Sequence, residues 1–198
     1  MKNETSNIKI GLDIDDTICN SSEISLKYAL EFDKTLRNTG IVDEYHYITR
    51  GMFDWSKEEI ERFSALYFDN TALEAVPYPG VKEAFDKWHE LGYQIILISA
   101  RNEFFSDAKK VTEEWLKKNN LKVDKLYVAT DLKDECAVKE GISIYIDDIP
   151  STCKAVFQKG IPTVKMYSRY TNNDPIKNIP MVSDFKEFVS ILSNMLEK

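Results

Sequence analysis

Imidazole and thiol are scarce in this chain, which has two histidines and three cysteines in 198 residues. His46 and His89 lie far apart and outside any ligand pattern, which nearly excludes a histidine metal centre or a Ser-His-Asp arrangement. Cys19, Cys136 and Cys153 are odd in number and match neither a disulfide framework nor a zinc site, so they read as reduced packing thiols. Basic excess is missing too. With 26 Lys and Arg against 33 Asp and Glu the formal net charge is -7, which makes a nucleic-acid polymer or an anionic membrane a poor partner. No run approaches the roughly 18 apolar residues of a membrane span, and the opening MKNETSNIKIG lacks an apolar leader, so a cytoplasmic protein is expected. Any catalysis must come from carboxylates, hydroxyls and lysines.

The composition is that of a folded globule, 43% hydrophobic and 30% charged, and the length suits one domain with room for an insertion. Short apolar runs alternate with longer helical patterns, the signature of an α/β, Rossmann-like parallel sheet covered by crossover helices. Strands are expected over Lys9–Asp13, Gln94–Ser99, Lys125–Ala129, Ser143–Ile146 and Pro162–Met166. IKIGLDI, YQIILIS and ISIYI are nearly continuous apolar runs and belong at the centre of the sheet, buried on both faces. VKEAFDKWHELG, SDAKKVTEEWLKKNN and STCKAVFQKG carry helical spacing, with Gly92 and Gly160 where helices should stop. SDFKEFVSILSNML should close the fold as a helix. Residues 21–76 show no strand pattern, only amphipathic stretches, and the Pro77-Tyr78-Pro79-Gly80 cluster marks a return. The expected organisation is a core of residues 1–20 and 77–198, with a helical cap of residues 21–76 inserted after the first strand.

The first strand ends in Asp13-Ile14-Asp15-Asp16-Thr17, at the sheet edge where ligands of open parallel sheets gather. Acids this close repel unless a cation joins them, and Mg²⁺ suits carboxylate, carbonyl and water ligands while neutralising a phosphate dianion. Asp13 is ionised at neutral pH and can attack phosphorus; a second carboxylate two residues on can protonate the leaving oxygen, provided its surroundings raise its proton affinity. An isolated Asp-x-Asp is more often a turn or a cap, but further clusters share this edge. Ser99 follows IILI, placing a hydroxyl and an amide in the same crevice. Asp147 and Asp148 terminate ISIYI. Lys133 begins a helix, where the helix dipole does not favour a cation, and pairing with Asp13 and phosphate accounts for it; Lys139 is a weaker competitor. Asp16 reads as a loop residue, and Thr17 as a brace that hydrogen-bonds the loop.

Taken in order, the strand-end DxDxT, strand-end Ser, Lys and strand-end Asp-Asp resemble the four motifs of the haloacid dehalogenase superfamily across essentially the whole chain. The resemblance implies Asp13 as nucleophile, Asp15 as general acid and base, Ser99 as phosphate binder and Lys133 as orienting cation. It implies Mg²⁺ held by Asp13, by Asp15 through its backbone carbonyl, and by Asp147 and Asp148 as the metal-side acids, with Asp148 favoured as the direct ligand. An acid at position 15 points to phosphate esters. Asp13 and Ser99 are 86 residues apart, Ser99 and Asp147 only 48, so the cap is of the first type, following the first motif. The helical cap and the VPYPGVKEAF return look like the 5'(3')-deoxyribonucleotidase family, although Ala100-Arg101 replaces the Ser-Pro pair of the vertebrate type.

The implied partner is a small phosphomonoester, foremost a nucleoside monophosphate. Another metabolite such as a sugar phosphate, a mutase reaction and a noncatalytic binding protein are the alternatives. Tyr45, Tyr47, Phe53 and Trp55 in the cap either stack on a nucleobase or form the cap's apolar underside. Ala100 and Arg101 are candidate substrate contacts, with Arg101 reaching a phosphate or sugar or else pairing at the surface.

Overall fold

The apolar runs become strands, and the segments between them become the helices that cover those strands. The computed structural model describes residues 8–102 and 104–196. In chain order these form β1 (Lys9–Leu12), α1 (Ser21–Lys34), a 3-10 turn (Ile48–Arg50), α2 (Lys57–Glu74), α3 (Val81–Glu90), β2 (Gln94–Ile98), α4 (Ala108–Lys118), β3 (Lys125–Tyr127), α5 (Lys133–Glu140), β4 (Ile144–Asp147), α6 (Pro150–Gln158), β5 (Thr163–Met166), β6 (Met181–Val182) and α7 (Phe185–Leu196). The sheet runs β3-β2-β1-β4-β5-β6 and every pairing is parallel. β6 extends the five expected strands by an edge strand of two residues, too short to leave a periodic signal.

Both faces are buried because the strands alternate apolar residues to each side. Along β2, Ile95 and Leu97 join the larger core with α3, α4 and α7, while Ile96 and Ile98 join the smaller one under α5 and α6. Gly11 is required where β1 passes β4, since a Cβ there would lie 2.8 Å from the Tyr145 ring and 2.9 Å from Ile142. Gly92 and Gly160 follow their helices with positive φ, the left-handed conformation in which glycine carries no steric cost.

Residues between β1 and α3 build a separate aromatic cluster. Ser56 caps α2 through a reciprocal pair with Glu59, so the helix start is set by sequence alone. Phe32, Phe53, Trp55 and Phe63 pack together with Tyr170, which comes from the loop after β5. Among the described residues no helix is long and apolar enough to cross a membrane, and Cys19, Cys136 and Cys153 are unpaired.

Candidate active site

The strand ends assemble the site. β1 closes at Leu12, yet the Asp13 amide still donates to the Ile146 carbonyl at 3.0 Å, carrying the ladder one residue further. Ser99 does likewise beyond β2, donating to the Tyr127 carbonyl at 2.8 Å. Asp147 ends β4 and Asp148 follows it, so the acids converge on the edge above β1 and β4.

Lys133 reaches this edge from the first turn of α5. Its Nζ donates to Asp13 Oδ1 at 2.6 Å and to Asp147 Oδ2 at 2.9 Å. Burial disfavours its charge, but the two carboxylates more than offset that and raise its pKa above the ordinary lysine value. Lys139 is exposed at the other end of the same helix. Asp13 is pushed up to about 7 by burial, with Asp147 and Asp15 adding to the rise and Lys133 opposing it. Asp148 is raised well above the carboxylate range by burial, then by Asp147, Asp16 and Asp13.

Three acids fit a cation. Asp13, Asp147 and Asp148 each offer a carboxylate oxygen within 4.8 Å of the others. Five carboxylates, Asp13, Asp15, Asp16, Asp147 and Asp148, gather here against Lys133, Arg101 and the more distant Lys165 among the described residues, an imbalance a divalent ion would relieve. Asp147 is already saturated: Oδ2 accepts from Lys133 and from the Tyr145 hydroxyl at 2.9 Å, and Oδ1 from the Ile149 amide at 2.8 Å. Asp148 accepts only the Tyr47 hydroxyl among the described residues, which favours Asp148 over Asp147 as the direct ligand. The Asp15 carboxylate is not part of this set and is held by Arg101 instead.

Asp15 departs from the expected electrostatics. Arg101 grips it with Nε–Oδ2 at 2.9 Å and a second nitrogen on Oδ1 at 2.7 Å. Burial alone would raise its pKa, but the guanidinium's charge and hydrogen bonds, helped by Ser21, leave it lowered. Sequence reasoning required a raised proton affinity; the charge on Arg101 overturns that. Nor is Arg101 a surface residue. It is 3% exposed, donates to the Thr112 hydroxyl at 3.0 Å and lies over the Phe105 and Trp115 rings.

A cavity of about 410 Å³ opens above the acids, within the range of small-molecule sites. Asp13, Asp15, Ser99, Ala100, Arg101, Lys133 and Asp148 line it from the sheet side. Phe68 of α2 faces Phe104 and Phe105, at 5.9 and 5.5 Å between ring centroids, and these three form an apolar wall. Phe53 and Trp55 are not in it. They stack on each other at 4.4 Å, and Trp55 Nε1 donates to the buried Asp33, so they fill the insertion's own core instead of holding a base. Phe104-Phe105, two aromatics in a polar loop just past Ser99, are the signal that sequence reasoning passed over. Asp16 holds the start of α1 by accepting from the Ser22 amide and hydroxyl. Thr17 braces the loop through its amide, to Ile14; its buried hydroxyl has no partner among the described residues.

No family model matches the chain. Over 195 residues it is 22% identical to a protein of Oceanobacillus iheyensis named "putative nucleotidase", covering 92% of this chain and 97% of that protein. Among solved structures, a haloacid dehalogenase-like family hydrolase of Streptococcus pneumoniae superposes with a TM-score of 0.71 at 14% identity, covering 95% of this chain and 99% of the other. A predicted phosphoglycolate phosphatase of Haemophilus somnus gives 0.69 at 17% identity, covering 94% and 98%. With its parallel sheet, its acids at the strand ends and its helical insertion after β1, the chain has the fold of the haloacid dehalogenase-like hydrolases.

Proposed function

We propose that this chain is a metal-dependent phosphatase acting on small phosphomonoesters, foremost nucleoside monophosphates, with residues 21–76 as the cap over its site. The observation that carries the reading is the Lys133–Asp13 contact at 2.6 Å, on the floor of the cavity beside Asp15 and Ser99. Lys133 occupies Asp13 Oδ1, leaving Oδ2 to attack phosphorus. The new Asp13 Oδ2–P bond forms as the ester O–P bond breaks, and the leaving oxygen takes a proton from Asp15. Asp15, then a carboxylate, removes a proton from water, which attacks phosphorus, releases inorganic phosphate and restores Asp13. The hold of Arg101 on Asp15 suits the second step as it stands, and the first requires Asp15 to carry a proton. Ser99 Oγ accepts from the Arg101 amide at 3.2 Å and keeps its own proton for a phosphoryl oxygen. Mg²⁺ at Asp13 and Asp148, and near Asp147, would neutralise the phosphate and favour the ionised Asp13 that burial disfavours.

The nucleotide preference is supported by the apolar wall of Phe68, Phe104 and Phe105, a surface suited to a flat base, and by the Oceanobacillus iheyensis likeness. Phosphate release with Mg²⁺ and with chelator, across ribo- and deoxyribonucleoside 5'- and 3'-monophosphates and sugar phosphates, tests it. Metal-dependent turnover of nucleotides is expected, and Asp13→Asn should abolish it with the fold intact. Near-wild-type turnover by Asp13→Asn would sink the mechanism; a preference for sugar phosphates would keep the mechanism and replace the substrate.

A further inference from the structure

The support for Asp148 comes from an unexpected quarter. Asp147 is held by three donors from its own side of the fold. The Asp148 carboxylate, in contrast, receives a single hydrogen bond among the described residues, from the Tyr47 hydroxyl to Oδ2 at 2.8 Å. Tyr47 lies 101 positions away in sequence, on the inserted segment, just before the 3-10 turn. Its ring is fixed there. Tyr170 stacks on it at 6.4 Å, and the Arg50 guanidinium sits 5.9 Å from its centroid. The same loop that carries Tyr170 fixes the main chain of Asp148, since the Thr171 hydroxyl donates to its carbonyl at 3.2 Å.

A carboxylate holding a cation through one oxygen can still swing about its Cβ–Cγ bond unless the other oxygen is fixed. Ligating carboxylates are hydrogen-bonded in turn for this reason, and losing such support costs roughly 10–100-fold in metal affinity. We infer that Tyr47 is a positioning residue for the metal: its hydroxyl fixes Asp148 Oδ2, leaves Oδ1 for the cation, and ties the inserted helices to occupancy of the site. This rests on the reading of Asp13, Asp147 and Asp148 as a metal centre. Because coupling between two equilibria is reciprocal, a cation that is bound more tightly through Tyr47 must also tighten the segment that carries Tyr47.

Mg²⁺ titration by calorimetry on the full chain tests the inference, using wild type, Tyr47→Phe, Asp148→Asn and the double variant. Phenylalanine keeps the ring contacts and removes only the hydroxyl. Tyr47→Phe should weaken Mg²⁺ about 10–100-fold in the wild-type background, and by less than about twofold in the Asp148→Asn background, because both act through one carboxylate. Hydrogen exchange over residues 44–56 should slow on adding Mg²⁺ to wild type and not to Tyr47→Phe. Unchanged affinity, or the same loss in both backgrounds, would overturn the inference and leave Tyr47 as a packing contact. Equal Mg²⁺ affinity in wild type and Asp148→Asn would instead remove the metal centre itself, and the inference with it.

Discussion

Arg101→Met isolates what the ion pair does for Asp15. The Arg101 side chain is 1% exposed and the Asp15 side chain 37%, so the pair is dry at one end only. Two charge-assisted hydrogen bonds would be worth about 1.5–3 kcal/mol each if both partners were buried. Water at Asp15 screens them, and the pair is better set at about 2–3 kcal/mol in all. Methionine is long enough to keep the packing against Phe105 and Trp115, but it sheds the charge and the fork, so Asp15 turns outward and loses its aim. General acid catalysis contributes about 10²–10⁴-fold. The effect should therefore depend on how much the leaving group needs a proton. kcat/KM, which covers binding through P–O cleavage, should fall roughly 10²–10³-fold for a nucleoside monophosphate and about tenfold or less for an aryl phosphate with a stable phenolate. Arg101→Lys should recover only part, since an ammonium keeps the charge but not the two-pronged grip. Equal losses on the two substrates would refute the reasoning and assign Arg101 to phosphate binding or to folding.

Asp13 and Asp16 are pushed up to about 7 and about 6, chiefly by burial, from an unfolded value near 4. The native state thus binds more protons than the unfolded chain between about pH 4 and pH 7, and stability falls as pH rises through that window. In chelator, Tm should drop by several degrees over this range, and Mg²⁺ should raise it more at pH 7.5 than at pH 5.5; equal increments would show that the cation does not neutralise these acids. Trp55→Ala should cost about 3–5 kcal/mol of stability and leave KM for a nucleotide within about twofold at low temperature. A tenfold rise in KM with Tm unchanged would put that ring in the substrate site.

The sheet was legible because strands buried on both faces must be apolar throughout, and YQIILIS has no other use. Its boundaries shift by a residue or two, since Asp13 and Ser99 continue the ladder without belonging to it. Whereas Lys133 joins from the start of α5, the acids and Ser99 could be placed because strand-end position is encoded in order along the chain. Side-chain direction within the cap was not. Phe53 and Trp55 precede α2 and Phe68 lies on it, all in aromatic-rich sequence, and only packing separates the two that stack on each other from the one that faces the cavity. The Arg101–Asp15 pair spans 86 positions, and no local period reports a contact of that range. The opposite charges were visible, but the fork that lowers Asp15 was not.

The insertion after β1 also has a consequence for biosynthesis. Asp13 emerges early, and then come α1, the 3-10 turn and α2, whose aromatic cluster closes within one stretch of chain save for Tyr170. Asp147 and Asp148 appear more than 130 residues later, and β1 cannot pair with β4 until they do. A growing chain therefore carries a partly built lid before it has a floor. Asp147 and Asp148 meet Asp13 only in a late long-range step, when β4 pairs beside β1. If Asp13, Asp147 and Asp148 hold a metal, the cation would meet its full ligand set only then, on an assembled sheet, and would act there as a clasp and not as a template around which the chain first gathers.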